Sequence, residues 1–157
     1  MATIKPIKQE CDFDPSVAPS TLSGELWFAI EGCWNTVEDM EERGGLVMRF
    51  GDEEKYIFVP LRNANTGTPI APVLFTADRD EYAKIILPMF KRGWRQYASF
   101  HTHPQFAPYP SHIDMTRLFK GFLVNYIYSG TQNKLMRYEW YNPHDFSEGV
   151  QIEEVEV

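Results

Sequence analysis

Three of the four histidines in this 157-residue chain lie within one short segment, HTHPQFAPYPSHID (101–114). Residues two apart on an extended strand point to the same face, so His101 and His103 at a strand end can present two imidazole nitrogens to one metal ion. Asp114, in the first turn of a helix after a proline-rich loop, is placed to add a carboxylate oxygen. Two imidazoles and a carboxylate suit zinc and leave a fourth position for water, whose pKa then falls toward ~7. The segment therefore predicts one zinc ion per chain.

Each part of this pattern also has a structural explanation. A histidine on a strand is often a surface residue or a hydrogen-bonded core residue, and Ser111 with Asp114 forms an ordinary helix capping box. The joint spacing His-x-His-Pro, six residues, Ser-x-x-Asp arises by chance on the order of once in 10⁵ chains of this length, at ordinary residue usage. The combined pattern therefore favours a metal site over the separate structural explanations.

The elements around this segment alternate between helices and strands. Ser23 is a predicted N-cap for a helix whose apolar residues recur at helical spacing: Leu26, Ile30, Trp34, Val37 and Met40. Asp78, with Glu81 three residues on, predicts the start of a second helix, which Pro88 is expected to kink or end early. A third helix is expected near Ser111.

Apolar runs predict a set of short strands. The runs at 45–50 and 55–61 are separated by Gly51-Asp52-Glu53-Glu54, which indicates a hairpin. Further strands are predicted at 96–100, 122–129, 134–141 and 150–157. Helices alternating with these strands predict an α/β fold, in which a mixed sheet is flanked by helices.

Length and composition favour one domain, 23–157, preceded by an extended arm at 1–22. The net charge of −7 and the pI near 5.1 give no electrostatic reason to expect nucleic-acid binding, which needs clustered basic side chains. No run approaches a membrane span and the N-terminus lacks an apolar signal segment, so a cytoplasmic protein is expected. Cys11 and Cys33 are expected to be free thiols, and the sequence does not determine the oligomeric state.

The spacing of His101, His103, Pro104, Ser111 and Asp114 resembles the JAMM motif of the MPN+/JAB metalloprotease family, in its compact prokaryotic form. The resemblance extends over the order of elements from about residue 23 to the C-terminus. It implies a cytidine-deaminase-like fold, zinc bound by the two histidines and the aspartate, and a Ser111 hydroxyl that stabilises the oxyanion.

A general base must also take a proton from the attacking water and return it to the leaving amine. In the family this base is an upstream glutamate that usually precedes a Gly-Leu at the first strand. Glu42, in Glu42-Arg43-Gly44-Gly45-Leu46, has that register. A shift of one residue would assign the role to Glu41, and either glutamate is otherwise a solvated charge at a helix end.

The resemblance implies a peptidase or isopeptidase acting after the C-terminal tail of a ubiquitin-like protein, so such a protein or its conjugates are the expected partners. One alternative is a peptidase with an unrelated protein substrate. Another is a non-catalytic MPN-type scaffold, which the complete ligand set disfavours. A nucleobase deaminase would need a Pro-Cys-x-x-Cys ligand pair, and this chain has none.

Overall fold

The computed structural model describes residues 20–33, 41–71 and 74–156, without the side chains of 32 and 33. Its centre is a six-stranded sheet in the order β2-β1-β3-β4-β5-β6. The strands are β1 (Gly44–Phe50), β2 (Tyr56–Leu61), β3 (Trp94–His103), β4 (Val124–Ser129), β5 (Lys134–Trp140) and β6 (Val150–Val155). Only β3 and β4 run parallel, so the predicted mixed sheet and its strands are confirmed.

The first helix, α1 (Leu22–Phe28), begins earlier than predicted. Thr21 is its N-cap and accepts a hydrogen bond from the Gly24 backbone, so the assignment of Ser23 as the cap was wrong. Ser20 already pairs with Tyr56 at the outer edge of β2, which ties the start of the helix to the sheet. A π-helical turn, Ala29–Cys33, follows α1. Among the predicted features, Cys11, the Cys33 side chain, Trp34, Val37 and Met40 lie outside the described residues.

The second helix, α2 (Arg79–Lys91), begins where the capping box predicted. The Asp78 side chain accepts a hydrogen bond from the Glu81 backbone. Pro88 does not end the helix, which continues to Lys91. Pro88 is exposed while Ile86 and Met89 are buried, so packing of the apolar stripe on the sheet continues past the proline. No helix in the described ranges is long and apolar enough to cross a membrane.

The two faces of the sheet bury different sets of side chains. One face packs against α1 through residues that include Val47, Phe58, Phe100 and Tyr126. The other face holds an α2 cluster and a second cluster formed by Phe119, Ile127, Tyr138 and Trp140. Two short turns follow β3, a π-helical turn (Asp114–Leu118) and a 3₁₀ turn (Phe119–Gly121), and Phe119 is the first residue of the second. A further 3₁₀ turn, Phe146–Glu148, precedes β6.

Candidate metal centre

The two predicted histidine ligands occupy the end of a central strand. β3 lies between β1 and β4, with Gly44 opposite His101 on one side and Ile127 opposite it on the other. Because His101 and His103 are two residues apart on this strand, both rings point to the same face. Both are buried, and their Nε2 atoms lie 3.2 Å apart. The strand pairing therefore brings two nitrogen donors to one point.

Asp114 reaches the same point from the π-helical turn that follows the loop 104–110. Its Oδ2 lies 3.2 Å from His101 Nε2 and 3.3 Å from His103 Nε2. The predicted capping box is present, because the Asp114 backbone N–H donates to Ser111 Oγ and the Ser111 N–H donates to Asp114 Oδ2, both at 3.0 Å. The capping interpretation and the metal-ligand prediction therefore apply to the same residues.

Glu42 is the fourth member of the cluster, and it comes from the segment just before β1. Its Oε2 lies 3.5 Å from His103 Nε2, and its Oε1 lies 3.8 Å from His101 Nε2. Its backbone is held on both sides, by a bond from its N–H to Ala71 O and by one from Asn63 Nδ2 to its carbonyl. Glu41 instead accepts from Thr66 Oγ1 at 3.4 Å. Of the two glutamates considered, the structure places Glu42 at the cluster.

Burial and mutual interaction shift the protonation of the four side chains. Burial raises the pKa of Glu42 to about 8. Burial lowers the pKa of His101, while for His103 the bond to Asp114 and the Glu42 charge outweigh burial and raise the pKa. Burial alone would raise the pKa of Asp114, but hydrogen bonds from the two histidines hold it well below its usual range. The cluster thus brings two carboxyl groups and two imidazoles, with their lone pairs, together in one buried space.

The donor set fits a divalent cation. Tetrahedral zinc with ligand bonds of about 2.0–2.1 Å spaces neighbouring donor atoms roughly 3.3–3.4 Å apart, close to the triangle formed by His101, His103 and Asp114. Glu42 Oε1 and Asp114 Oδ1 are buried acceptors with no hydrogen-bond donor among the described residues. Buried acceptors without partners are costly, and a cation would offset that cost. The buried Glu42, His101, His103 and Asp114 group can therefore hold a metal ion.

The other aromatic and histidine side chains near the motif lie outside the cluster. Phe106 and Tyr109 lie on the loop between the ligands and are 52% and 58% exposed. Phe100 packs against Phe58 on the α1 face of the sheet, away from His101. His112 and His144 are exposed.

Sequence reasoning did not identify three contacts that organise the centre. Phe75 stacks on the His101 ring, with centroids 6.3 Å apart. Asn63 binds the Glu42 carbonyl, and the Ala107 carbonyl accepts from His103 Nδ1 at 2.9 Å. These contacts involve a loop phenylalanine, a loop amide and a main-chain oxygen. None of them has a spacing or residue type in the sequence that could mark it.

Comparison with known proteins agrees with this geometry. The family model described as prokaryotic homologues of the JAB domain matches residues 35–141, which include all four clustered side chains. Among solved structures, the chain is similar to protein DSY2949 from Desulfitobacterium hafniense, with 25% identity, a TM-score of 0.54, and 73% of this chain and 76% of that chain covered. Comparison with curated proteins gives no significant match. The chain therefore belongs to the family of prokaryotic homologues of the JAB domain.

Proposed function

We propose that the protein is a zinc-dependent peptidase or isopeptidase that hydrolyses the amide bond after the C-terminal tail of a ubiquitin-like protein. The observation that carries the proposal is the buried carboxylate of Glu42 beside the triangle of His101, His103 and Asp114. Three donors and one nearby carboxylate are the parts that metal-assisted hydrolysis needs. Membership of the JAB-domain family supports the same reaction class.

His101, His103 and Asp114 would hold the metal through Nε2, Nε2 and Oδ2. Zinc bound there would supply a Lewis acid that lowers the pKa of water and polarises the scissile carbonyl. Glu42 would accept a proton from the attacking water and deliver it to the leaving nitrogen, so that amide and water give a carboxylate and an amine. The Glu42 carboxylate lies 3.5 Å from His103 Nε2 and 3.8 Å from His101 Nε2, so it is placed beside the site where the metal and the attacking water would be held.

Ser111 would stabilise the charge that develops on the carbonyl oxygen. Its Oγ accepts the Asp114 backbone N–H, which leaves the hydroxyl proton to be donated toward substrate. Such a donor acts on the transition state more strongly than on the ground state. Ser111 is also held beside Asp114 by the capping box, so this donor and the metal ligand share one rigid turn.

The test compares zinc-loaded wild type with Glu42→Gln and with Glu41→Gln as the matched control. Two reporter substrates carry the tail of a ubiquitin-like protein. In one the tail is joined to the detected group by a peptide bond, and in the other it is joined to a lysine side chain. A third reporter carries an unrelated peptide. We expect cleavage after the tail by wild type and Glu41→Gln, and a loss of roughly 10²–10⁴-fold in Glu42→Gln, with zinc content unchanged.

Each other outcome overturns a defined part of the proposal. Full activity of Glu42→Gln would remove Glu42 as the base. Cleavage of the unrelated peptide alone would indicate a peptidase with a different protein substrate. A protein that binds zinc but cleaves none of the reporters would be a scaffold rather than a hydrolase of this kind.

A further inference from the structure

Three successive carbonyl groups of the loop 104–110 are each bound by a different strand residue. The Phe106 carbonyl accepts from Ser129 Oγ at 2.6 Å, the Ala107 carbonyl from His103 Nδ1 at 2.9 Å, and the Pro108 carbonyl from the Tyr138 hydroxyl. These donors lie at the ends of β4 and β3 and within β5. The sheet therefore holds the loop on both sides of the carbonyl that contacts the candidate ligand.

The Ala107 carbonyl determines which nitrogen of His103 carries the proton. Because a carbonyl can only accept, the neutral His103 ring must hold its proton on Nδ1 and keep the Nε2 lone pair for the cluster. The Tyr109 N–H also donates to this carbonyl at 2.8 Å, so both of its lone pairs are used. Movement of this peptide group would release the ring and allow the other tautomer.

Ser129 holds the loop on one side of Ala107. It is fully buried, it is the last residue of β4, and it pairs in register with His103. Its Oγ accepts the Gln132 backbone N–H at 3.0 Å, which leaves the hydroxyl proton for the Phe106 carbonyl. The hydroxyl is therefore oriented by the turn after β4.

Tyr138 holds the loop on the other side. Its ring is fully buried and packs against Phe119 with centroids 5.5 Å apart. Burial raises the pKa of the Tyr138 phenol, so it remains a hydrogen-bond donor across the working pH range. The Pro108 carbonyl is thus bound by a group that packing fixes in place.

We propose that Ser129 and Tyr138 are positioning residues for the metal centre, which hold the Phe106 and Pro108 carbonyls so that the Ala107 carbonyl keeps His103 in the metal-binding tautomer and orientation. The proposal rests on the metal site proposed above. A single contact from His103 would not suffice, because the proline-containing loop lacks strand or helix pairing and can rotate its peptide groups unless they are held from outside.

The test measures zinc affinity by competition with a chromophoric chelator in Ser129→Ala, Tyr138→Phe and the double variant. Each change removes one hydroxyl and keeps the rest of the side-chain packing. Loss of a group that orients a ligand typically costs about 10–100-fold in metal affinity, and we expect a loss of that size in the double variant with a smaller loss in each single variant.

Tyr128→Phe is the matched control. Tyr128 is also a buried tyrosine, but it packs in the α1-face cluster and its hydroxyl donates to Asn133. Its removal should leave zinc affinity unchanged. Circular dichroism and thermal melting of all four variants establish that each is folded.

A second measurement reads His103 directly. Exchange of its Nδ1–H proton with solvent, followed by NMR in the zinc-loaded and the metal-free protein, should be slow in wild type and Tyr128→Phe and faster in the double variant. Unchanged zinc affinity and exchange in the folded double variant would overturn the proposal, as would an equal loss in Tyr128→Phe. Neither readout uses peptidase activity, so a failure of the proposed reaction leaves this test intact.

Discussion

At the scale of single residues, the centre combines several roles in few side chains. Asp114 accepts the Ser111 N–H with the same Oδ2 that faces both histidines, so the cap and the candidate ligand depend on one rotamer. Ser111 in turn accepts from the Asp114 backbone. The two residues therefore require separate measurements of metal binding and of catalysis.

Asp114→Ala should lose the metal. Two histidines without the carboxylate leave zinc with too few protein ligands, so about one zinc per chain in wild type should fall to near zero. Mass spectrometry of protein purified without added metal measures the stoichiometry. Asp145→Ala is the control, because Asp145 also caps a short turn but is exposed and distant in sequence from the cluster. Zinc retained at wild-type stoichiometry in Asp114→Ala would refute this ligand assignment.

Ser111→Ala should keep zinc and lose rate. Removal of one oxyanion donor costs about 10²–10³-fold in kcat, while loss of the cap costs about 0.5–2 kcal/mol of stability. Steady-state kinetics on the cleaved reporter, with zinc content measured beside them, separate the two effects. A wild-type kcat in a Ser111→Ala protein of lowered stability would mean that Ser111 only caps the turn.

At the scale of elements, the close packing of β1 between β2 and β3 determines the position of Glu42, which lies just before β1. Glycines at 44 and 45 lie where β1 runs between β2 and β3. A Cβ on Gly45 would come within 2.2 Å of the Val59 carbonyl, and one on Gly44 within 2.5 Å of the Phe100 carbonyl. Both obstacles are backbone atoms of paired strands, so neither can move without disturbing the sheet.

Gly45→Ala should therefore be destabilising by about 1–3 kcal/mol, the usual cost of forcing an extra carbon into a packed region. Denaturant unfolding followed by fluorescence measures the free energy of unfolding. Gly121→Ala is the matched control, since no atom lies within 4 Å of the added Cβ. Equal stability of the two variants would show that β1 tolerates a wider spacing than the structure gives.

At the scale of the whole molecule, the centre joins parts of the chain that are far apart in sequence. The segment before β1 supplies Glu42, β3 supplies His101 and His103, and the turn after the loop supplies Asp114. A ligand that binds only the folded arrangement stabilises that arrangement as a whole. Metal binding and global unfolding should therefore be linked.

Zinc should raise the melting temperature, and a chelator should reverse the change. Free zinc at one hundred times its dissociation constant adds about 2.7 kcal/mol, and for a chain of this size each kcal/mol raises Tm by roughly 2–4 °C. Differential scanning calorimetry with and without zinc measures the shift. Asp114→Ala should show no zinc-dependent shift, and an unchanged wild-type Tm in excess zinc would contradict the linkage.

Most of the fold could be predicted from the sequence because its signals are local. Short apolar runs predicted all six strands, and the Asp78 capping box predicted the start of α2. The early end at Pro88 was wrong because packing of Ile86 and Met89 on the sheet outweighs the lost backbone bond. The N-cap of the first helix was predicted two residues too late, at Ser23 instead of Thr21. The pairing of Ser20 with Tyr56 fixes the chain just before Thr21, and the helix begins from there.

The sequence by itself determined the grouping of His101, His103 and Asp114, because strand periodicity and the capping turn act over a few residues. The sequence left Glu42 and Glu41 as alternatives, because both lie some sixty residues from His101. A shift of one residue in the strand register would point the side chain to the opposite face of the sheet. Only the pairing of β1 with β3 brings Glu42 within 3.8 Å of His101. The hydrogen bonds that hold the loop likewise depend on β4 and β5, because a backbone oxygen has no sequence signature and the folded sheet decides which side chain donates to it.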